Sequence, residues 1–331
     1  MKTPAYWQAG QGGLTAKLLM PLSWVYRGGA SVKQALGPDP WLAPIPVVCI
    51  GNATAGGAGK TPVALDVARR LSAKGAQPHF LTRGYGGRLK GPVRVDPERH
   101  NAQDAGDEAL VLTRTAPTWI GADRAASAKL AVQAGADVLV MDDGFQNFTL
   151  EKTLSLLVVD GGFGIGNGCM MPAGPLREPL NNALLRAQAV ICIGEDETGL
   201  LSNLPVAPQV ITATVQPSGD TEAFRGKPYV AFAGIGRPEK FFDTLRIAGI
   251  ELVDTVTFAD HHPFSDTELT QLRKRAHGLA AGLITTEKDW VRLNESHRDA
   301  IDVLTIGMQW EDEGVIDALI SPLVDGTLHA G

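Results

Sequence analysis

The chain has 331 residues, 44% of them hydrophobic and 20% charged, with a formal net charge of −6. That length favours two domains and that apolar share is enough for a sizeable core; the acidic balance excludes the net basic surface expected of a nucleic-acid binder. Cys49, Cys169 and Cys192 are far apart and form no CxxC pair, so neither a zinc site nor a disulfide framework is expected, and a reducing, cytoplasmic compartment is.

The N-terminal stretch departs from this average. Residues 1–38 carry Lys2, Lys17, Arg27 and Lys33 and no acid, with Tyr6, Trp7, Trp24 and Tyr26 among them. The apolar run at 14–25 is too short and interrupted to span a bilayer, which needs ~20 apolar residues, and it lacks a signal-peptide core. Basic residues, interfacial aromatics and a short apolar run suit a helix lying in a membrane surface. They suit a first helix packed on the core equally well.

The apolar run 47–50 leads into Gly51-Asn52-Ala53-Thr54-Ala55-Gly56-Gly57-Ala58-Gly59-Lys60-Thr61-Pro62, and a helical pattern follows. Strand, glycine-rich turn and helix are the layout of a phosphate-binding loop. Gly56, Gly57 and Gly59 let successive N–H groups turn inward on an anion, and the helix N-terminus adds partial positive charge. Lys60 is placed to reach the outer phosphates, and the Thr61 hydroxyl to ligate magnesium. Thr54 stands where the strict pattern has its first glycine. Pro62 fits, since the first helical turn has no hydrogen bond to lose.

Val63, Val67 and Leu71 mark the helix after the loop, with Gly75 placed to end it. A strand at 79–82 runs into Arg83-Gly84-Tyr85-Gly86-Gly87. Gly106-Asp107-Glu108 opens a helix at 108–112, where Asp107 serves capping as well as it serves catalysis. A strand ends at 119–121, followed by Ala122-Asp123-Arg124 and an alanine-rich helix. Arg83 and Arg124 suit either phosphate clamping or pairing with surface acids. The buried strand 137–141 ends in Asp142-Asp143, the place from which phosphate-loop enzymes hold magnesium; another strand is expected at 154–160. Strands alternating with helices indicate a parallel sheet covered on both faces, with ligands beyond the strands' carboxyl ends. The proline-rich stretch 205–217 reads as the start of a second unit, with a strand from 228, a helix at 241–245, extended chain at 252–253, a helix at 269–277 and a strand at 283–286. Within it, the spacing of His261 and His262 makes no metal site, and Thr286-Glu287-Lys288-Asp289 lies at a strand end.

Taken together these motifs resemble the tetraacyldisaccharide 4′-kinases, the lipid A 4′-kinases of Gram-negative bacteria. The resemblance runs through nearly the whole chain: the phosphate loop ending in Thr61-Pro62, Arg83-Gly84-Tyr85-Gly86, Gly106-Asp107-Glu108, Ala122-Asp123-Arg124, Asp142-Asp143-Gly144-Phe145-Gln146, Gly166-Asn167-Gly168 with Pro172-Ala173-Gly174-Pro175-Leu176-Arg177-Glu178-Pro179, Asp260-His261-His262, and Thr286-Glu287-Lys288-Asp289. Thr54 is typical of that family; Asn147 and Cys169 depart from it.

The resemblance implies a P-loop-type, mostly parallel α/β sheet with helices on both faces plus a smaller α/β domain: a membrane-docking segment at 1–35, a catalytic domain at 36–210, and a domain at 211–331 that closes over the nucleotide. It implies an ATP- and Mg2+-dependent kinase at the cytoplasmic face of the inner membrane, acting on the 4′-hydroxyl of a lipid disaccharide 1-phosphate, with no obligate protein partner. Asp107 is then the base, assisted by His261, with Lys60 also catalytic. Thr54, Gly56, Gly57, Gly59, Lys60, Thr61 and Arg124 hold the nucleotide, and Thr61, Asp142, Asp143 and Glu178 the metal. Two other readings of the same loop are a nucleotide-switch hydrolase or metal-insertion ATPase, for which no guanine-reading motif is present, and a membrane scaffold that binds ATP structurally.

Overall fold

The computed structural model describes residues 4–205, 208–219 and 221–326; Lys2 lies outside them. Among these residues twelve strands join one sheet: β1 (Val47–Gly51), β2 (Pro78–Thr82), β3 (Val93–Arg94), β4 (Thr118–Ile120), β5 (Val138–Asp142), β6 (Leu154–Asp160), β7 (Ala189–Ile193), β8 (Gln209–Ser218), β9 (Pro228–Ala233), β10 (Glu251–Thr257), β11 (Gly282–Thr286) and β12 (Asp302–Trp310). Their order is β10-β9-β11-β12-β8-β7-β6-β1-β5-β2-β4-β3. Only β8 with β12 and β3 with β4 run antiparallel.

β1, β2, β5 and β6 are buried along their whole length. Their near-continuous apolar runs reflect a parallel sheet covered on both sides. Alternate residues of β1 feed two cores. Val48 and Ile50 pack with Val63, Val67 and Leu71 of the helix Lys60–Ala73, while Val47 and Cys49 face Leu139, Met141 and Leu157 on the other side. In the second lobe, Tyr229 and Ala231 of β9 pack on Phe241, Phe242 and Leu245, and Val230 and Phe232 on Leu269 and Leu272.

The division expected between residues 210 and 211 falls inside β8. Residues 209–213 of β8 pair with β7, and 213–218 with β12. The lobes therefore share a strand where the prolines suggested a domain boundary. Pro217 is tolerated because β8 has no β7 partner beyond Ala213, so the missing N–H leaves no ladder bond unmade on that side.

The N-terminal stretch forms the helix Gly13–Ala35, with Pro21 inside it. Only Ala16 and Ser23 are buried among its described side chains. Ser23 ties it down, donating to Met170 O at 2.8 Å and accepting from Ala173 N at 3.1 Å. Leu14, Leu18, Leu22, Trp24, Val25 and Val32 stand exposed.

Candidate active site

The glycine-rich loop leaves β1 and enters the helix Lys60–Ala73. Gly56 (φ +119°) and Gly59 (φ +83°) hold left-handed backbone, and a Cβ on Gly59 would stand 2.4 Å from Ile193 Cδ1. Nothing lies within 4 Å of where a side chain on Gly56 or Gly57 would point, which leaves the loop open to a ligand. Lys60 Nζ spans the loop, 3.5 Å from Gly56 O and 3.6 Å from Asp143 Oδ1.

The Thr61 hydroxyl donates to Asp142 Oδ2 at 3.0 Å, and Asp142 Oδ1 is buried with no partner among the described residues. Burial first, then the Glu108 charge, push the Asp142 carboxyl up to about 7 against the pull of Lys60. A hydroxyl beside a buried carboxylate with a free oxygen fits a hard divalent cation. Asp143 is differently placed. It adopts φ +56° and accepts from Arg177 Nη1 at 3.0 Å on both oxygens. Burial opposes its charge, but Lys60 and Arg177 prevail and hold its carboxyl low. Glu178, expected at the metal, instead gives both oxygens to Arg186 Nη2 (2.8 and 2.7 Å) and accepts from Gln146 Nε2 at 2.9 Å. Arg186 was available to neutralise it because the helix Leu180–Arg186 returns that side chain to the start of its own motif.

Thr54 is buried and its hydroxyl accepts from Asn52 Nδ2 at 3.2 Å. The 172–179 motif runs alongside it: Ala55 N donates to Pro175 O and Arg177 N to Ala53 O. Thr54 thus braces the loop, and the two most specific sequence motifs lie against one another. Arg124 is buried, donates to Gly121 O, and has no partner for Nε among the described residues. Burial and then, against Asp143, the charge of Arg83 bring its guanidinium down to about 10. Arg83 is exposed. Two cations with spare donors suit an anion.

A second cluster joins the lobes. Asp107 begins the helix Asp107–Thr113 and is 4% exposed. Gly106 is the N-cap residue, and Asp107 Oδ1 accepts the first-turn Glu108 N–H at 2.9 Å. Its Oδ2 accepts from His261 Nδ1 at 2.9 Å and Arg292 Nε at 2.8 Å, with Arg292 Nη2 also donating and Lys288 Nζ at 4.0 Å. Burial disfavours the charge, but His261, Lys288 and Arg292 outweigh it and hold the carboxyl well below the usual range. His261 (φ +59°) is partly exposed, and its backbone N–H donates to Gly234 O at 3.1 Å. His262 is structural: it stacks on Phe258 and meets Glu268 at 2.9 Å. Asp289 is fully buried and accepts from Gly234 N, the Thr286 hydroxyl and Arg292.

The sequence profile of the tetraacyldisaccharide-1-P 4′-kinase family matches residues 15–324. The chain belongs to this family. It is 49% identical to the tetraacyldisaccharide 4′-kinase of Rhodospirillum centenum, over 98% of each chain. It is also 49% identical to that of Gluconacetobacter diazotrophicus, over 98% of this chain and 99% of the relative. Its fold resembles that of LpxK from Aquifex aeolicus, solved in complex with ATP, with a TM-score of 0.75 and 22% identity over 94% of this chain and 100% of that one. The chain is therefore a kinase that uses ATP, on the mostly parallel α/β sheet its sequence predicted. Among the described residues no helix is long and apolar enough to cross a membrane.

Two arginines in these clusters have no clear signal in the sequence: Arg177 lies within the 172–179 motif, and Arg292 stands three residues past Asp289. An acid followed at i+3 by arginine was the available signal, and it is common on ordinary surfaces.

Proposed function

We propose that this kinase transfers the γ-phosphoryl group of ATP to the 4′-hydroxyl of a tetraacyldisaccharide 1-phosphate lipid at a membrane surface. The observation that carries the reading is the pairing of Asp107 with His261 across the lobes while Thr61 and Asp142 close the floor of an open phosphate loop. Lys60 and the loop N–H groups bind the β- and γ-phosphates, and Arg124 with Arg83 offsets their charge. Thr61 and Asp142 would hold magnesium, which would offset the negative charge of the β- and γ-phosphates. Asp143, through Arg177 and Lys60, positions the lysine.

The proton leaves the 4′-oxygen as that oxygen bonds to the γ-phosphorus and the bond to the ADP oxygen breaks. Asp107 Oδ2 is filled by His261 and Arg292 and Oδ1 accepts only the Glu108 N–H, and the neighbouring cations hold the carboxylate charged, so it is a poor proton acceptor. The partly exposed His261 ring is the better one, receiving the proton at Nε2 while Asp107 holds Nδ1–H and offsets the positive charge. This reverses the roles expected for the two residues. The smaller lobe, carrying His261, Lys288 and Arg292, closes the site from above and limits loss of phosphoryl to water.

The helix Gly13–Ala35 supplies the membrane contact. Leu14, Leu18, Leu22 and Val25 recur at helical spacing on one side, bare of protein, with Lys17 and Arg27 nearby. These features support a peripheral location at the cytoplasmic face, where ATP is available.

Labelled ATP with a tetraacyl disaccharide 1-phosphate in detergent tests the reaction: product mass rises by one phosphate, and Lys60→Ala abolishes it. The division of labour is read from kcat in the single variants. His261→Gln is expected to lower kcat about 10²-fold or more, and Asp107→Asn by less; the opposite order returns the base role to Asp107.

A further inference from the structure

Asp160 ends β6 and is 9% exposed. It pairs in register with Ile193 of β7, whose side chain fills the space beside Gly59. Asp142 ends β5 on one side of β1, and Asp160 ends β6 on the other. Asp160 thus flanks the phosphate loop, yet none of the roles above uses it. Its Oδ1 accepts from Gly162 N at 3.1 Å, and its Oδ2 reaches the second lobe: Arg237 Nη1 donates to it at 2.8 Å, with Lys240 Nζ at 3.6 Å.

Arg237 closes the turn that follows β9 and caps the helix Pro238–Ile247. Three residues earlier in that turn, Gly234 O accepts from the His261 backbone N–H at 3.1 Å and from Arg292 Nη1 at 2.8 Å, while Gly234 N donates to Asp289. One turn therefore holds both groups that grip Asp107. A Cβ on Gly234 would stand 3.1 Å from Ala259 O and from Asp289 Oδ1, so the turn has little room to shift alone.

We propose that Arg237 is a positioning residue for phosphoryl transfer: anchored on Asp160, it pins the Gly234 turn to the first lobe and so sets where His261 stands over the phosphate loop. The inference rests on the kinase reading and on His261 as proton acceptor. Its physical basis is that a small displacement of a proton-transfer group costs rate far more than binding. Asp160 is well placed to anchor the pair, because it is itself held by Gly162 at the end of a fully buried strand.

The test uses the full chain. Arg237→Gln and Asp160→Asn are each expected to lower kcat about tenfold with the KM for ATP changed less than about threefold. The double variant is expected to be no slower than either single one, as for residues acting through one contact. Arg237→Lys should recover most of the rate. Asn at 160 keeps the acceptor for Gly162 N, and Arg237 lies at the surface, so unfolding midpoints are expected to stay near the parent's. The His261 ring resonance, followed by NMR without substrate, should shift in Arg237→Gln. Additive losses, a kcat within twofold of the parent, or an unmoved His261 resonance would overturn the proposal. A parent enzyme inert toward the lipid would instead overturn the kinase reading, and the resonance would still decide the role of Arg237.

Discussion

At the scale of single residues, burial decides which charges can work. Asp142 and Asp143 are neighbours in sequence, yet one keeps a free buried oxygen beside Thr61 and the other is neutralised by Arg177. The strand end alternates their directions, and the positive φ at Asp143 turns it away from the pleat. His79 shows the same rule on a group outside the site. Its ring is buried and accepts from Trp119 Nε1 at 3.2 Å. Burial, and then the charge of Arg94, lower its pKa from 6.5. The folded state therefore binds this proton less readily than the unfolded chain does. Stability from this residue is whole above about pH 6.5 and falls as the unfolded chain takes up the proton below it. Denaturant titrations between pH 7.5 and 5.5 should show the decline, and His79→Gln should flatten it; an equal slope in the variant would place the loss elsewhere.

At the scale of elements, the strand–loop–helix unit and the 172–179 motif were readable because each has local chemistry. Glycines at positive φ, a proline in the first helical turn and an apolar run before them need no partner to be recognised. The N-terminal helix was ambiguous for the opposite reason: the same amphipathic pattern serves a core or a membrane. Ser23 holds one side of it to the 170–173 segment, while Leu14, Leu18 and Leu22 stand bare of protein. Full burial of one leucine is worth about 1.5–3 kcal/mol. Leu18→Ser with Leu22→Ser is therefore expected to weaken partitioning onto anionic phospholipid vesicles by at least about tenfold, measured by sedimentation, while detergent-phase ATP binding is unchanged. Unaltered partitioning would sink the membrane role of this helix.

At the scale of the whole molecule, the two lobes meet through charge. Arg292 reaches across to Asp107, Lys288 to Glu108, Arg114 to Glu287, and Arg237 to Asp160. Most of these are half-exposed pairs of small worth, but Arg292 and Asp107 are 5% and 4% exposed. Removing one member of a buried pair strands the other charge at a cost of about 3–5 kcal/mol. Arg292→Ala is accordingly expected to lower the unfolding free energy by about 3 kcal/mol and to depress turnover by misplacing Asp107. Guanidinium titration and kcat measured on the same preparation check both; a variant as stable as the parent would mean that the pair is broken in solution. The lobes also share β8, where the proline-rich sequence suggested a domain boundary. Proline marks a missing donor, and only the absence of a β7 partner past Ala213 shows that no donor was needed there.

The sequence by itself determined the parallel α/β class, the phosphate loop and the ordered set of motifs that places the chain in its family. Those features are written in contiguous residues, whose backbone demands and apolar period are local. Only the tertiary structure decided that Asp142 rather than Asp143 stands with Thr61, that Glu178 is bound to Arg186, and that Arg292 joins the Gly234 turn to Asp107 while Arg237 meets Asp160. Each of those outcomes depends on which charge arrives from a distant segment, and a carboxylate's role follows from the partner that burial assigns to it.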